Sequence, residues 1–278
     1  MKFRKVYVEI TNRCNLSCHF CAKDCRPKKE MSVMEFQRVI QEIRPYTNYL
    51  YLHVKGEPLL HSQFSTILQI CDDYQMKVNI TTNATLLLQQ VEVIKQHECV
   101  KKLNLSLHCE QKDSQYFNHV KMAVDQLQGK TIIYRLWTCN ETQMDANSQA
   151  ILAFLSKAYQ LDETSIPALY HQNHVKIKEQ VYVDKDHEFI WPSLTNEILN
   201  TNGYCYALKT HIAILSDLTV VPCCLDGGGI LALGNLKEES LSSILQKERV
   251  KKIRKSFQDR KPQEALCQRC GFMSRLKK

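Results

Sequence analysis

Apolar positions in the first two-thirds of the chain change period in a regular order. Short runs rich in β-branched and aromatic residues stand at Val6–Ile10, Tyr49–Val54, Lys77–Thr82, Leu103–Leu107, Thr131–Trp137 and Ser165–Tyr170. Between them, apolar residues recur at helical spacing in Ser32–Arg44, Ser62–Tyr74, Thr85–His97, Asp113–Leu127 and Ala146–Tyr159. The two periods predict strands and amphipathic helices. Ser32, with Glu35 three residues on, has the pattern of a capping box and marks the first helix start. Strand–helix alternation predicts an α/β fold with a parallel sheet and helices on one outer layer. Six such units make a partial (β/α)6 open barrel, whose chemistry belongs in loops at the C-terminal strand ends.

The rhythm changes near His171. Val175–Asp186 (VKIKEQVYVDKD) alternates charged and apolar residues and reads as an exposed strand or hairpin serving as a linker. Beyond Gly203, His211–Leu215 and Thr219–Val221 predict a hairpin turning at Ser216–Asp217. Gly227–Gly229 then breaks the chain, and Leu241–Gln246 begins a helix. These changes divide the chain into a barrel over 1–172, a linker over 173–202 and a small hairpin-plus-helix domain over 203–278.

With 278 residues, 44% of them hydrophobic, the chain can bury a sizeable core, which excludes wholesale disorder. No apolar run approaches the ~18 residues of a membrane helix. The opening MKFRKVYVEITNRC has no secretory apolar region, so a cytoplasmic protein is expected. Thirteen cysteines in that compartment argue for metal rather than disulfides. The formal charge is +8, and basic residues gather in Lys247–Ser256 and at Arg275, Lys277 and Lys278. No aromatics interleave them, so a solvated helix face is favoured over a nucleic-acid surface.

Cysteine spacing supplies the chemistry. CNLSCHFC places Cys14, Cys18 and Cys21 in one stretch directly behind the first strand. Three soft thiolates can hold three irons of a 4Fe–4S cluster and leave the fourth iron to a small molecule. Asn12, Arg13, Asn15, Ser17 and His19 around them are a poor recipe for an apolar helix face. Zinc usually takes four ligands from paired motifs. The spacing resembles the CxxxCxxC signature of the radical SAM superfamily, including the aromatic Phe20 before the last cysteine. KGEP at Lys55–Pro58 is similar to that family's GGEP, which implies that Gly56 and Glu57 hold the amino group of S-adenosylmethionine (SAM). Lys55 departs from the pattern. The resemblance also implies SAM contacts from Thr82 and Asn83, a ribose contact from Ser106 and a carboxylate contact from Arg135. Asn104, Ser106 and His108 share one strand face at period two. His53 and His108 are the catalytic candidates.

The later cysteines look like the Twitch form of the SPASM-type extension, through GYC (Gly203–Cys205), VPCC (Val221–Cys224), LGN (Leu233–Asn235) and CQRC (Cys267–Cys270). That implies a second, auxiliary 4Fe–4S cluster on Cys205, Cys223, Cys267 and Cys270. Cys223 ranks above Cys224 because it follows the proline, and zinc on the same four thiolates is the rival. Cys25, Cys71, Cys99, Cys109 and Cys139 are read as structural. The resemblance implies an enzyme that uses an electron donor such as flavodoxin or ferredoxin, cleaves SAM to a 5′-deoxyadenosyl radical and abstracts hydrogen from a small-molecule substrate. The compact layout resembles the queuine lyase group, which splits queuine to 7-aminomethyl-7-deazaguanine. A deazaguanine needs a carboxylate on its N–H edge and an aromatic to stack on, for which Glu9, Asp184, Trp137 and Tyr170 are candidates. A radical SAM dehydrogenase, a short-peptide maturase, and a non-catalytic iron–sulfur carrier or zinc module are the alternatives.

Overall fold

A computed structural model describes residues 2–108, 115–137 and 144–276. Cys109, Cys139, Lys277, Lys278 and the start of the Asp113–Leu127 stretch lie outside the described residues. In chain order the elements begin β1 (Lys5–Val8), α1 (Val33–Ile43), β2 (Tyr49–Tyr51), α2 (Phe64–Asp73), β3 (Lys77–Thr82), α3 (Leu87–Gln96), β4 (Val100–Ser106), α4 (Tyr116–Gln126) and β5 (Thr131–Leu136). They continue with α5 (Ala146–Ala158), α6 (Ser165–His171), β6 (His174–Lys178), β7 (Val181–Lys185), β8 (His211–Ile214), β9 (Thr219–Val221) and β10 (Gly234–Asn235). Helices α7 (Leu241–Gln246), α8 (Glu248–Gln258) and α9 (Ala265–Gln268) close the order.

The capping box of α1 forms in full: Glu35 N–H donates to Ser32 Oγ at 3.2 Å, and Ser32 N–H donates to the Glu35 carboxylate at 2.9 Å. Partial burial disfavours the Glu35 charge, but bonds from Lys29 and Ser32 outweigh it and hold the carboxyl down at about 2. The helix buries Phe36, Val39, Ile40 and Ile43, the stripe that 3.6-residue spacing requires.

Two compact units divide the chain. The first comprises Met1–Cys14, Ala22–Lys77 and Phe189–Lys278. Its strands run in the order β10-β9-β8-β1-β2. β1 is parallel to both β2 and β8, with Val6 opposite Leu50 on one side and Ile212 on the other. β8, β9 and β10 pair antiparallel. The second unit comprises Asn15–Cys21 and Val78–Glu188, with order β3-β4-β5-β7-β6. Its first four strands are parallel, and β6 turns back antiparallel on β7. The expected α/β class with a parallel strand core is what the chain adopts.

Two expectations need correction. Ser165–Tyr170 is helix α6, not a sixth strand. Asp162 accepts from Thr164 N–H and Ser165 N–H at 3.1 and 2.8 Å, nucleating the turn, and Pro167 sits in the first turn, where its missing N–H costs nothing. Residues 174–185, expected as an exposed hairpin serving as a linker, are a hairpin that forms part of the sheet. β7 lies beside β5 with Val181 and Val183 buried, and is the last parallel strand of the second unit. The segment beyond Gly203 likewise joins the sheet, because β8 pairs with β1.

At the end of β1, Glu9 is fully buried. Its carboxylate accepts a bidentate pair from Arg26 at 2.8 and 2.7 Å, Lys55 N–H at 3.0 Å and Ser216 N–H at 3.0 Å. Burial opposes the Arg26 charge, but its bonds to Glu9 and Asp24 more than compensate and raise its pKa. Glu9 is therefore saturated by the protein and is not a substrate-facing group. Arg26→Met strands a buried carboxylate and is expected to cost about 3–5 kcal/mol, read as a lowered denaturation midpoint. A midpoint unchanged from wild type would refute this account of Glu9.

Candidate active site

Asn12 closes the cysteine loop at its root. Its Nδ2 donates to Asp24 Oδ2 and Pro27 O, both at 3.0 Å, and its Oδ1 accepts Lys29 N–H at 2.7 Å. The chain therefore leaves and returns at one point, with Cys14, Cys18, Cys21 and Cys25 between. Cys14, Cys21 and Cys25 are exposed and Cys18 is half-buried. Cys21 N–H donates to Cys18 O at 3.1 Å, a tight turn between those two cysteines. Asn15 fastens the far side of the loop, donating to Thr85 Oγ1 and accepting from Asn83 Nδ2, both at 2.9 Å. Thiols within reach of solvent are donors an iron–sulfur cluster can use.

Gly56 of KGEP has φ +76°, and a Cβ there would lie 2.3 Å from Thr11 O and 2.8 Å from Arg13 O. Only glycine permits so close an approach to the loop root. Glu57 N–H donates to Arg13 O at 2.7 Å. The buried Glu57 carboxylate accepts Leu59 N–H at 3.1 Å, capping a single helical turn at Pro58–Leu60. Lys55, at the departure from the family pattern, is buried, with its ammonium 4.0 Å from the Trp191 ring centre and 2.9 Å from Ala22 O.

In the second unit, aromatic groups gather at the ends of β4 and β5. The His108 ring lies 4.8 Å from Phe20 and 6.1 Å from Trp137, stacked on the latter at 11°. The Arg135 guanidinium covers the Trp137 ring at 3.7 Å. Burial pulls the His108 pKa down to about 4, the Arg135 charge adds to this, and a bond to the Arg135 carbonyl opposes it. A carbonyl only accepts, so neutral His108 donates from Nδ1 at 2.9 Å and keeps its lone pair on Nε2. Ser106 is half-buried. Thr82 Oγ1 is engaged by Ala84 N–H at 2.9 Å, and Asn83 Oδ1 by Thr85 N–H at 3.0 Å, so both side chains shape their own loop. Asn104 donates to Asn79 at 2.6 Å, an internal strand contact.

The C-terminal thiols face one another. Burial pushes Cys205 up to about 11, and the neighbouring Cys270 and Cys224 add to it. Cys223 is raised by burial and then by Cys224, Cys205 and Cys267, while Cys267 is raised by burial and then by Cys205 and Cys270. Burial also raises Cys270. Buried thiols that resist ionisation together are stabilised by a cationic core among them, so this donor set fits a metal cluster. Among the described residues no trio of Cys, His, Asp or Glu is drawn in tightly enough for a single ion. Cys224 also packs against a core of Tyr7, Val54, Ala213, Leu215 and Val221.

The remaining candidates have these surroundings. His53 packs among Tyr7 and Tyr51 at 5.5 and 6.1 Å in the first unit. Tyr170, expected on a strand, is in α6, and its carbonyl accepts Lys185 Nζ at 2.7 Å. Asp184 pairs with His174 on the β6–β7 hairpin and stands opposite Arg135 in the β5–β7 register. Sequence reasoning missed Asn12, Arg26 and Trp191. The first two carried a faint signal, polar residues flanking a cysteine motif, whereas Trp191 carried none because its partners are remote in sequence.

Comparison with known proteins agrees with this layout. A family model described as the radical SAM superfamily matches residues 8–124, and one described as an iron–sulfur cluster-binding domain (SPASM) matches 205–271. The chain is 26% identical over 153 residues to an S-adenosylmethionine-dependent nucleotide dehydratase of Selenomonas ruminantium, covering 54% of this chain and 47% of that protein. It is 29% identical over 111 residues to a GTP 3',8-cyclase of Synechocystis, covering 38% and 34%. The chain thus spans between about a third and a half of the length of these relatives. Among solved structures it resembles BtrN in complex with AdoMet and 2-DOIA, with TM-score 0.65, 17% identity and coverage of 97% and 94%. Streptococcus suis SuiB bound to precursor peptide SuiA gives 0.63, 16%, 98% and 70%.

Two outcomes follow from the geometry. Gly56→Ala cannot keep the loop-root approach and is expected to lower the thermal midpoint by several degrees; an unshifted midpoint contradicts the packing described. His108, whose folded value of about 4 lies below its unfolded value, lets the unfolded chain take up the proton first as pH falls. Stability is therefore lost from about pH 6.5 down to 4, by about 2 kcal/mol at pH 5 for this group. Denaturant titration at pH 7.5 and 5 is expected to show a smaller pH slope in His108→Phe than in wild type.

Proposed function

We propose, from the premise that the chain belongs to the radical SAM superfamily and carries an iron–sulfur SPASM-type extension, that it abstracts hydrogen from a nucleobase-bearing small molecule. Its cofactors are SAM and two 4Fe–4S clusters. The observation that carries the reading is Gly56 of KGEP, built against the root of the cysteine loop where only glycine fits.

Cys14, Cys18 and Cys21 would hold the first cluster, and Cys205, Cys223, Cys267 and Cys270 the second. When bound, the first cluster and SAM supply an electron and a 5′-deoxyadenosyl radical, chemistry no side chain can provide. The protein binds and orients. In the first unit, the Gly56 backbone and the buried Glu57 carboxylate suit an ammonium group. In the second unit, Ser106 suits a ribose hydroxyl and Arg135 a carboxylate, the guanidinium being braced on Trp137. His108 is neutral at physiological pH and acts as a hydrogen-bond acceptor at Nε2 rather than as an acid. A primary radical attacks whatever is nearest, so ordered, apolar surroundings limit side reactions.

Two things support a nucleobase-bearing substrate. Phe20, His108 and Trp137 form a run of flat rings of the kind a base stacks on, and the nucleotide dehydratase and the GTP cyclase bear nucleotide names. Queuine, cleaved to 7-aminomethyl-7-deazaguanine, is the named candidate, with Trp137 as its stacking surface. Incubation of reduced, anaerobically reconstituted protein with SAM is expected to release 5′-deoxyadenosine, faster with the true substrate, from protein holding about eight irons per chain. Cys14→Ala is expected to keep about four irons and abolish cleavage. No 5′-deoxyadenosine from protein with intact clusters, whichever nucleobase compound is supplied, sinks the reading. Conversion of GTP with queuine untouched moves the substrate to nucleotides.

A further inference from the structure

Lys55 occupies a position where the family pattern usually has glycine, and it is buried. A lysine there must have its ammonium satisfied, and the structure shows how. Nζ donates to Ala22 O at 2.9 Å, the carbonyl directly after Cys21, and lies 4.0 Å from the Trp191 ring centre. The stem runs along Gly227, where an added Cβ would meet Lys55 Cε at 2.8 Å and Cγ at 2.9 Å. Lys55 N–H meanwhile donates to Glu9 at 3.0 Å.

Trp191 belongs to an irregular strap whose backbone is held by the auxiliary ligand loop. Gly271 N–H donates to Ile190 O at 2.9 Å, and a Cβ on Gly271 would lie 2.9 Å from Ile190 N and O. Gln268 O accepts Leu199 N–H and Asn200 N–H, both at 2.9 Å, and Asn200 Nδ2 donates to Cys270 O at 2.9 Å. Arg269 Nε donates to Asn196 O at 2.9 Å, and Asn196 Nδ2 donates to Trp191 O at 2.7 Å. Phe189 packs on Trp191 and on Phe272, at 5.0 and 5.3 Å. The strap thus takes its position from Cys267–Phe272 on one side and delivers an indole ring to Lys55 on the other. Gly227, three residues past Cys224, reaches the same lysine from the second ligand loop.

We infer that Lys55 and Trp191 are positioning residues through which assembly of the auxiliary cluster fixes the KGEP loop and the exit of the first cysteine loop, so that filling the auxiliary site strengthens SAM binding. The inference rests on the function proposed above only for the identity of the ligand at KGEP. The physical coupling stands on contacts within one compact unit. By reciprocity, SAM would in turn strengthen metal retention at the auxiliary site.

Two measurements test it. Acetylation of Lys55 in the anaerobically reconstituted protein, followed by mass spectrometry, is expected to be slow. It is expected to quicken several-fold in Cys267→Ala/Cys270→Ala and in Trp191→Leu. Equal labelling in reconstituted wild type and the double-cysteine variant overturns the coupling, and this readout needs neither SAM nor substrate. The second is the SAM dissociation constant by equilibrium dialysis. Lys55→Met and Trp191→Leu are each expected to weaken binding about tenfold with iron content retained, while Lys55→Arg, which keeps the cation over the ring, restores most of the affinity. The combined Lys55→Met/Trp191→Leu variant is expected to be no weaker than either alone; additive losses overturn the coupling. Should no variant nor wild type bind SAM, the proposed function fails while the labelling result still decides the coupling.

Discussion

A carboxylate with no access to water has to be answered by the protein, and Glu9 is answered from three directions. Its donors, Arg26, the Lys55 amide and the Ser216 amide, lie 17, 46 and 207 residues away in sequence. The cost of burying the charge falls on any arrangement that fails to bring all three together. That constraint sets the end of β1, the return arm of the cysteine loop, the KGEP loop and the β8–β9 turn in one register. An apolar residue at this position would pack without demanding any of the three. Arg26 extends the restraint by bonding Asp24, which in turn receives Asn12 at the loop root. A cysteine loop with exposed thiols can therefore be open at its tip and fixed at its base.

The two cysteine sets differ in exposure. In the first loop Cys14, Cys21 and Cys25 are exposed, so an incoming small molecule can reach a metal bound there. The C-terminal thiols are half-buried, and burial together with neighbouring thiols discourages their ionisation. Metal loading there must release several protons and reverse a local repulsion, so it is linked to folding of the segments that carry those cysteines. Cys267 lies on the short α9 and Cys270 just beyond it, and the carbonyls of Gln268 and Cys270 hold the 189–200 strap, so that linkage extends beyond the ligand loop itself.

Much of this was legible because the signals are local. The period of α1, its capping box, the β8–β9 hairpin and the glycine of KGEP are each determined within a few residues. Cysteine spacing is equally local, and it carries the resemblance to the two iron–sulfur families whose models match the chain. What failed depended on contacts the chain makes elsewhere. Ser165–Tyr170 has the composition of a strand, yet the Asp162 side chain and Pro167 start a helix there. The 174–185 hairpin reads as exposed because its charges alternate, yet the edge of β5 needed a partner and Val181 and Val183 supplied the apolar face. Glu9, a candidate for the N–H edge of a substrate, is engaged by Arg26. Thr82 and Asn83 share that error in smaller form, since side chains at a strand end are the first to be used by the adjoining turn.

Lys55 shows how a departure from a family pattern becomes informative once its surroundings are known. A glycine asks nothing of its neighbours, whereas a buried lysine requires an acceptor, a surface for its charge and room for four methylenes. Ala22 O, Trp191 and the bare Cα of Gly227 provide these in turn. Each provider comes from a different segment, and two of them belong to the metal-binding half of the sequence. Changing any one of the three alone leaves either a buried ammonium without its ring or a stem without its space, so the three positions depend on one another physically.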